Sequence, residues 1–115
     1  MYQFRFTQHL RERFCERVHL VRKNKIANFL SQHENVRKMD GVMKSMLKES
    51  IECKSLYEQE KLMKFINGKY GDGLKFLKTK KTIFVCKTDL ENNCTVLTCY
   101  TDKGLIGWYV KEQTY

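Results

Sequence analysis

The sequence predicts an α+β fold in which an N-terminal strand and helices pack on a C-terminal antiparallel β-sheet. Two observations carry that expectation. Apolar residues recur at helical spacing through the first part of the chain, and after the turn-rich GKYGDG at 68–73 the pattern changes to alternation. With 115 residues and 42% apolar content, the chain has enough material for one core and too little for two ordinary ones. Residues 1–115 are therefore expected to form a single domain.

The elements follow in order. YQFRF at 2–6 alternates aromatic and polar residues and reads as a short strand, with Thr7 as the N-cap of the next element. From Gln8 to about Val21, Leu10, Phe14, Val18 and Val21 make one apolar helical stripe, with His9, Arg13 and Arg17 along its edge. Residues 25–67 contain no Pro and read as two or three helices, with an interruption expected at Asp40-Gly41. Ser55 and Glu58 match a capping box that would open a helix ending near Asn67-Gly68, although KLMKFI at 61–66 also fits a strand.

Strands dominate the rest. LKFLKT (74–79), KTIFVCKT (81–88) and NCTVLTCYT (93–101) are rich in β-branched and aromatic residues, and DLENN (89–93) suits a hairpin loop. GLIGWYV (104–110) is expected to add an edge strand or a docking tail. With Thr88 assumed opposite Cys94, Ile83, Val85, Leu97 and Cys99 would face the helices, and Thr82, Phe84, Thr98 and Tyr100 would share the other, more polar face.

Composition narrows the function. Lys and Arg number 22 against 13 Asp and Glu, a net charge of +9, which favours a polyanionic partner and makes RNA the first expectation; the alternative is charge that serves solubility alone. No apolar run approaches the roughly 20 residues that span a bilayer, and the start MYQFRFTQHL lacks an apolar leader, so a cytoplasmic protein without membrane contact is expected. The five Cys are widely spaced without a C-x-x-C pair, which suggests reduced buried thiols and neither a disulfide framework nor a zinc module. His19 and His33 lack partners at metal-ligand spacing and are expected on the surface or in packing.

Two short patterns, F-T-x-H-x-x-x-R-x-x-x-R at the start and V-L-T-x-Y on a late strand, resemble the small ribonucleases and toxins of the barnase, EndoU, colicin and RelE-like (BECR) fold. Those families also place helices before a curved antiparallel sheet. The resemblance implies a metal-independent endoribonuclease of toxin type, needing no cofactor, in which the ribose 2′-hydroxyl attacks the adjacent phosphate. It maps the site onto His9, Arg13, Arg17, Thr98 and Tyr100. A toxin of this kind would also need a neutralising partner, an antitoxin or immunity protein that is acidic where it covers the basic site.

The residue types suit that chemistry. His is the natural acid or base near neutral pH, and neighbouring Arg would favour its neutral form. Arg13 and Arg17 offer donor forks for phosphate oxygens, while Thr98 and Tyr100 would present a hydroxyl and a ring from one strand face. Arg11, Arg22, Lys23, Lys75 and Lys87 are expected to contact the RNA backbone.

Each has a structural alternative. His9 could cap its helix or hydrogen-bond locally, and Thr and Tyr are ordinary strand residues. A binding module without turnover is the second expectation, holding phosphates on the basic helix residues and losing affinity with salt. A third is an adaptor that uses Trp108 and Tyr109 to hold a protein partner.

Overall fold

A computed structural model describes residues 3–101. Among these, the order is β1 (Gln3–Phe6), α1 (Gln8–Arg17), α2 (Lys23–Ser31), α3 (His33–Lys48), β2 (Ile51–Glu52), a 3₁₀ turn (Lys54–Glu58), α4 (Glu60–Tyr70), β3 (Leu74–Thr79), β4 (Thr82–Thr88) and β5 (Asn93–Thr101). The fold is α+β. The expectation for GLIGWYV lies outside the described residues.

The sheet has the order β1-β5-β4-β3-β2. The C-terminal strands are antiparallel as expected, but β1, expected to pack on them, joins the sheet parallel to β5 and makes it mixed, from Gln3 opposite Asn93 to Phe6 opposite Val96. The other neighbours are antiparallel.

Both faces of the sheet are covered over most of β4, which is why it carries a nearly continuous buried run from Thr82 to Cys86. On the first face, Leu10, Phe14 and Cys15 of α1 and Met39, Met43 and Leu47 of α3 pack on Phe84, Cys86 and Val96. Phe14 and Phe84 are stacked with ring centroids 6.3 Å apart, a geometry that adds about 0.5–1.5 kcal/mol to their burial. On the second face, Leu56 of the 3₁₀ turn and Leu62 and Ile66 of α4 pack on Leu74, Phe76, Ile83 and Val85.

Local chemistry explains most boundaries. Thr7 has extended backbone and accepts the Leu10 amide on its hydroxyl at 3.0 Å, the N-cap expected of it. The DLENN segment forms the β4–β5 turn, held by Asp89, whose carboxylate accepts the amides of Glu91 and Asn93. α4 stops at Tyr70 because Gly71 has φ 89°, a conformation costly for a side-chain-bearing residue.

Two helical expectations need correction. α3 runs through Asp40-Gly41 without a break; Gly costs only about 1 kcal/mol in a helix, and Asp40 ties α3 to Arg11 of α1 through two hydrogen bonds of 3.0 and 2.8 Å. Ser55 opens no α-helix: it lies in the 3₁₀ turn, and α4 begins at Glu60, with Gln59 at its N-cap position making no side-chain cap. KLMKFI is helical, and the helix continues past Gly68.

The β4–β5 register decides which residues reach the site. Thr88 does pair with Cys94, but Cys86 pairs with Val96 and Val85 with Thr98, so one extra residue, Leu97, bulges from β5. Beyond a bulge the two strands are offset by one position relative to a regular ladder. Phe84 therefore pairs with Cys99 on the first face, and Ile83 with Tyr100 on the second. The expected grouping of Thr82, Phe84, Thr98 and Tyr100 on one face is overturned, as is that of Cys99 with Ile83 and Val85.

Candidate active site

β1 stops pairing at Val96, and α1 takes over the edge of β5 beyond it. Thr7 Oγ1 donates to the Leu97 carbonyl at 3.2 Å, and Arg17 Nη1 donates to the Cys99 carbonyl at 2.6 Å. These two contacts anchor both ends of α1 to β5. Because the helix buries Leu10 and Phe14 on the first face, His9 and Arg17 are left at the sheet edge beside tyrosines of the second face, while Arg13 turns to Glu16 of its own helix.

A connected group results. His9 Nε2 lies 3.1 Å from the hydroxyl of Tyr70, the last residue of α4. Tyr100 lies close enough to Tyr70 for the second phenol to raise the pKa of the first. The Arg17 guanidinium sits 4.8 Å from the centroid of the Tyr100 ring. The His9–Tyr70 pair and the Arg17–Tyr100 pair thus come together from α1, α4 and β5. Tyr70 was not among the residues the sequence nominated.

Burial and neighbouring charge shift the two titrating groups His9 and Tyr100 in opposite directions. Partial burial, followed by the positive field of Arg13, holds the His9 imidazole below its ordinary value of 6.5. Burial first, reinforced by the Tyr70 hydroxyl, pushes Tyr100 up to about 12. At neutral pH the imidazole is uncharged and the Tyr100 phenol keeps its proton. With its proton on Nδ1, a neutral imidazole accepts the Tyr70 hydroxyl at Nε2.

The other expected site residues are distributed less uniformly. Arg13 influences His9 but also donates to Glu16 at 2.7 Å. Thr98 shares the second face with Tyr100, yet it is 0% exposed and its Oγ1 has no hydrogen-bond partner among the described residues. It cannot touch a phosphate, because the bulge that brings Tyr100 to the edge tucks Thr98 opposite Val85. This corrects its expected role.

Among the expected RNA contacts, Arg11 is held by Asp40 and bridges α1 to α3. Arg22 and Lys23 are exposed at the start of α2, with Lys23 3.7 Å from Glu16. Lys75 pairs with Cys86 and belongs to the first face, away from the tyrosines. Lys87 is exposed on the second face, and its Nζ lies 3.3 Å from where a Cβ on Gly71 would stand, one residue past Tyr70.

All five Cys are free thiols, four of them buried. His19 packs edge-on against Phe14 with centroids 4.9 Å apart. No group of three or more His, Cys, Asp or Glu among the described residues is placed to hold a metal ion, and no helix there is long and apolar enough to cross a membrane. Comparison with protein-family models, curated proteins and solved structures gives no match to this chain.

Proposed function

We propose that the chain is a metal-independent endoribonuclease with a BECR-like site, and that the His9–Tyr70–Tyr100 chain moves the protons of the reaction. The observation that carries this reading is the His9 imidazole 3.1 Å from the Tyr70 hydroxyl, with Tyr100 and the Arg17 guanidinium beside them. A depressed imidazole suits the role of base, and a phenol that keeps its proton at neutral pH has one to donate.

In the proposed step, the ribose 2′-hydroxyl gives its proton to the Tyr70 oxygen as Tyr70 passes its own to His9 Nε2. The 2′-oxygen attacks phosphorus. The phosphorane charge is met by Arg13 and Arg17, whose planar donor forks match phosphate oxygens. Tyr100 protonates the departing 5′-oxygen, leaving a 2′,3′-cyclic phosphate on one fragment and a 5′-hydroxyl on the other. The proton on His9 then returns through Tyr70 to Tyr100, which closes the cycle. No cofactor takes part.

The net charge of +9 supports a polyanionic substrate and an acidic neutralising partner over the same surface. The reading is tested with an RNA oligonucleotide carrying a single 2′-deoxy substitution at the cleavage position. Cleavage there is expected to stop while binding continues. Continued cleavage at the substituted position would refute attack by the 2′-oxygen, and binding without cleavage of the all-ribose strand would establish a binding module instead.

A further inference from the structure

The second face is left open beside the tyrosines, where β1, β5 and the end of β4 lie together. Three residues align there across three strands: Arg5 of β1 is in register with Thr95 of β5, and Thr95 with Lys87 of β4. All three alternate with residues of the first-face core: Phe4 and Phe6 flank Arg5, Cys94 and Val96 flank Thr95, and Cys86 precedes Lys87. They therefore point to the second face. Arg5 and Lys87 are exposed. With strands about 4.8 Å apart, their Cα atoms are separated by roughly 10 Å, with Thr95 between them.

A groove adjoins the Thr95 and Lys87 end of this row. It encloses ≈330 Å³ and is lined by Lys87, Thr88, Asp89, Asn93, Thr95 and Leu97. Leu97 brings it to the site, since its carbonyl accepts the Thr7 hydroxyl two residues before His9, and it packs in the same cluster as Tyr70 and Tyr100. Lys87 does the same from the other side through its approach to Gly71. The one acid in the groove, Asp89, accepts the amides of Glu91 and Asn93 and the Asn93 side chain, and its negative charge lies in the field of Arg5.

We infer that the Arg5–Thr95–Lys87 row is a phosphate-binding subsite that holds a single RNA strand as it leaves the cleavage site, with an unstacked nucleotide in the adjoining groove. This rests on the ribonuclease reading for its ligand. Two cations flanking a hydroxyl across an open sheet suit backbone phosphate, and a groove of this size takes one nucleotide at a time, where a duplex would present stacked pairs.

The test measures binding of a six-nucleotide RNA, 2′-deoxy throughout its cleavable positions, by fluorescence anisotropy across a salt series. Each neutralised phosphate contributes about 0.7 to the slope of log K against log salt for single strands. Arg5→Ala with Lys87→Ala is expected to lower that slope by about 1.4, whereas removing the same charge from α3 in Lys44→Ala with Lys48→Ala is expected to leave it unchanged. An unchanged slope in the first pair, or an equal fall in both, overturns the subsite. Because the readout is binding, the subsite and the cleavage mechanism fail separately: an active enzyme with an unchanged slope loses only the subsite, and a reduced slope in a protein that never cleaves loses only the mechanism.

Discussion

His9 Nε2 and the Tyr70 hydroxyl, 61 residues apart in the chain, lie 3.1 Å apart where the first turn of α1 meets the last turn of α4. In the proposed mechanism that contact is the route of the proton. Tyr70→Phe keeps the ring that packs on the second-face core and removes only the hydroxyl. It is expected to lower kcat by about 10²–10⁴-fold, the usual range for losing acid–base participation, with thermal stability nearly unchanged. Single-turnover cleavage beside a melting curve checks this, and a variant as fast as the parent would remove Tyr70 from the reaction.

The depressed imidazole sets the acid side of the pH profile. His9 serves only when uncharged, so kcat/KM is expected to rise with pH and level off above an apparent pKa lower than 6.5. Arg13 is the largest charge contribution to that depression, after burial. Removing its positive charge makes protonation easier, so Arg13→Gln is expected to move the acid limb toward higher pH. NMR titration of the His9 ring reads the shift without relying on turnover, and movement toward lower pH would contradict the assignment.

Thr98 separates a structural hydroxyl from a catalytic one. Its Oγ1 is buried without a partner among the described residues, and such a group costs about 1–3 kcal/mol. Thr98→Val preserves shape and removes the unpaired oxygen, so the denaturation midpoint is expected to stay level or rise, with cleavage within a few-fold of the parent. A large loss of kcat in a folded Thr98→Val protein would restore Thr98 to the site.

The parts of this fold that were legible in the sequence are those specified locally. Thr7 announces the α1 cap, the switch of apolar period marks the passage from helices to strands, and DLENN lies at the hairpin. The parts that were not legible depend on tertiary contacts. No Gly or turn residue signals the bulge at Leu97, yet it changes the partner of every later residue in β5. β2 is only two residues long and carries no pattern. Asp40 looked like a helix interruption until Arg11 of another helix supplied its partner.

The site followed the same division. The i, i+4, i+8 spacing of His9, Arg13 and Arg17 was visible because a helix fixes it, whereas Tyr70 stood inside GKYGDG, a stretch that reads as loop. Its signal was weak, a tyrosine just before a glycine that ends a helix. The bulge accounts for the misplacement of Thr98 and Phe84, because side-chain direction in a strand follows register and register here is not local.

The central claim is that His9 is part of a metal-independent RNA-cleaving site. The most direct measurement incubates purified protein and its His9→Ala variant with RNA in EDTA, confirms that both are folded, and maps the fragment ends. The account predicts 2′,3′-cyclic phosphate and 5′-hydroxyl ends from the parent and at least a 10²-fold slower reaction from the variant. Equal cleavage by the two proteins, or none by the folded parent, would contradict it.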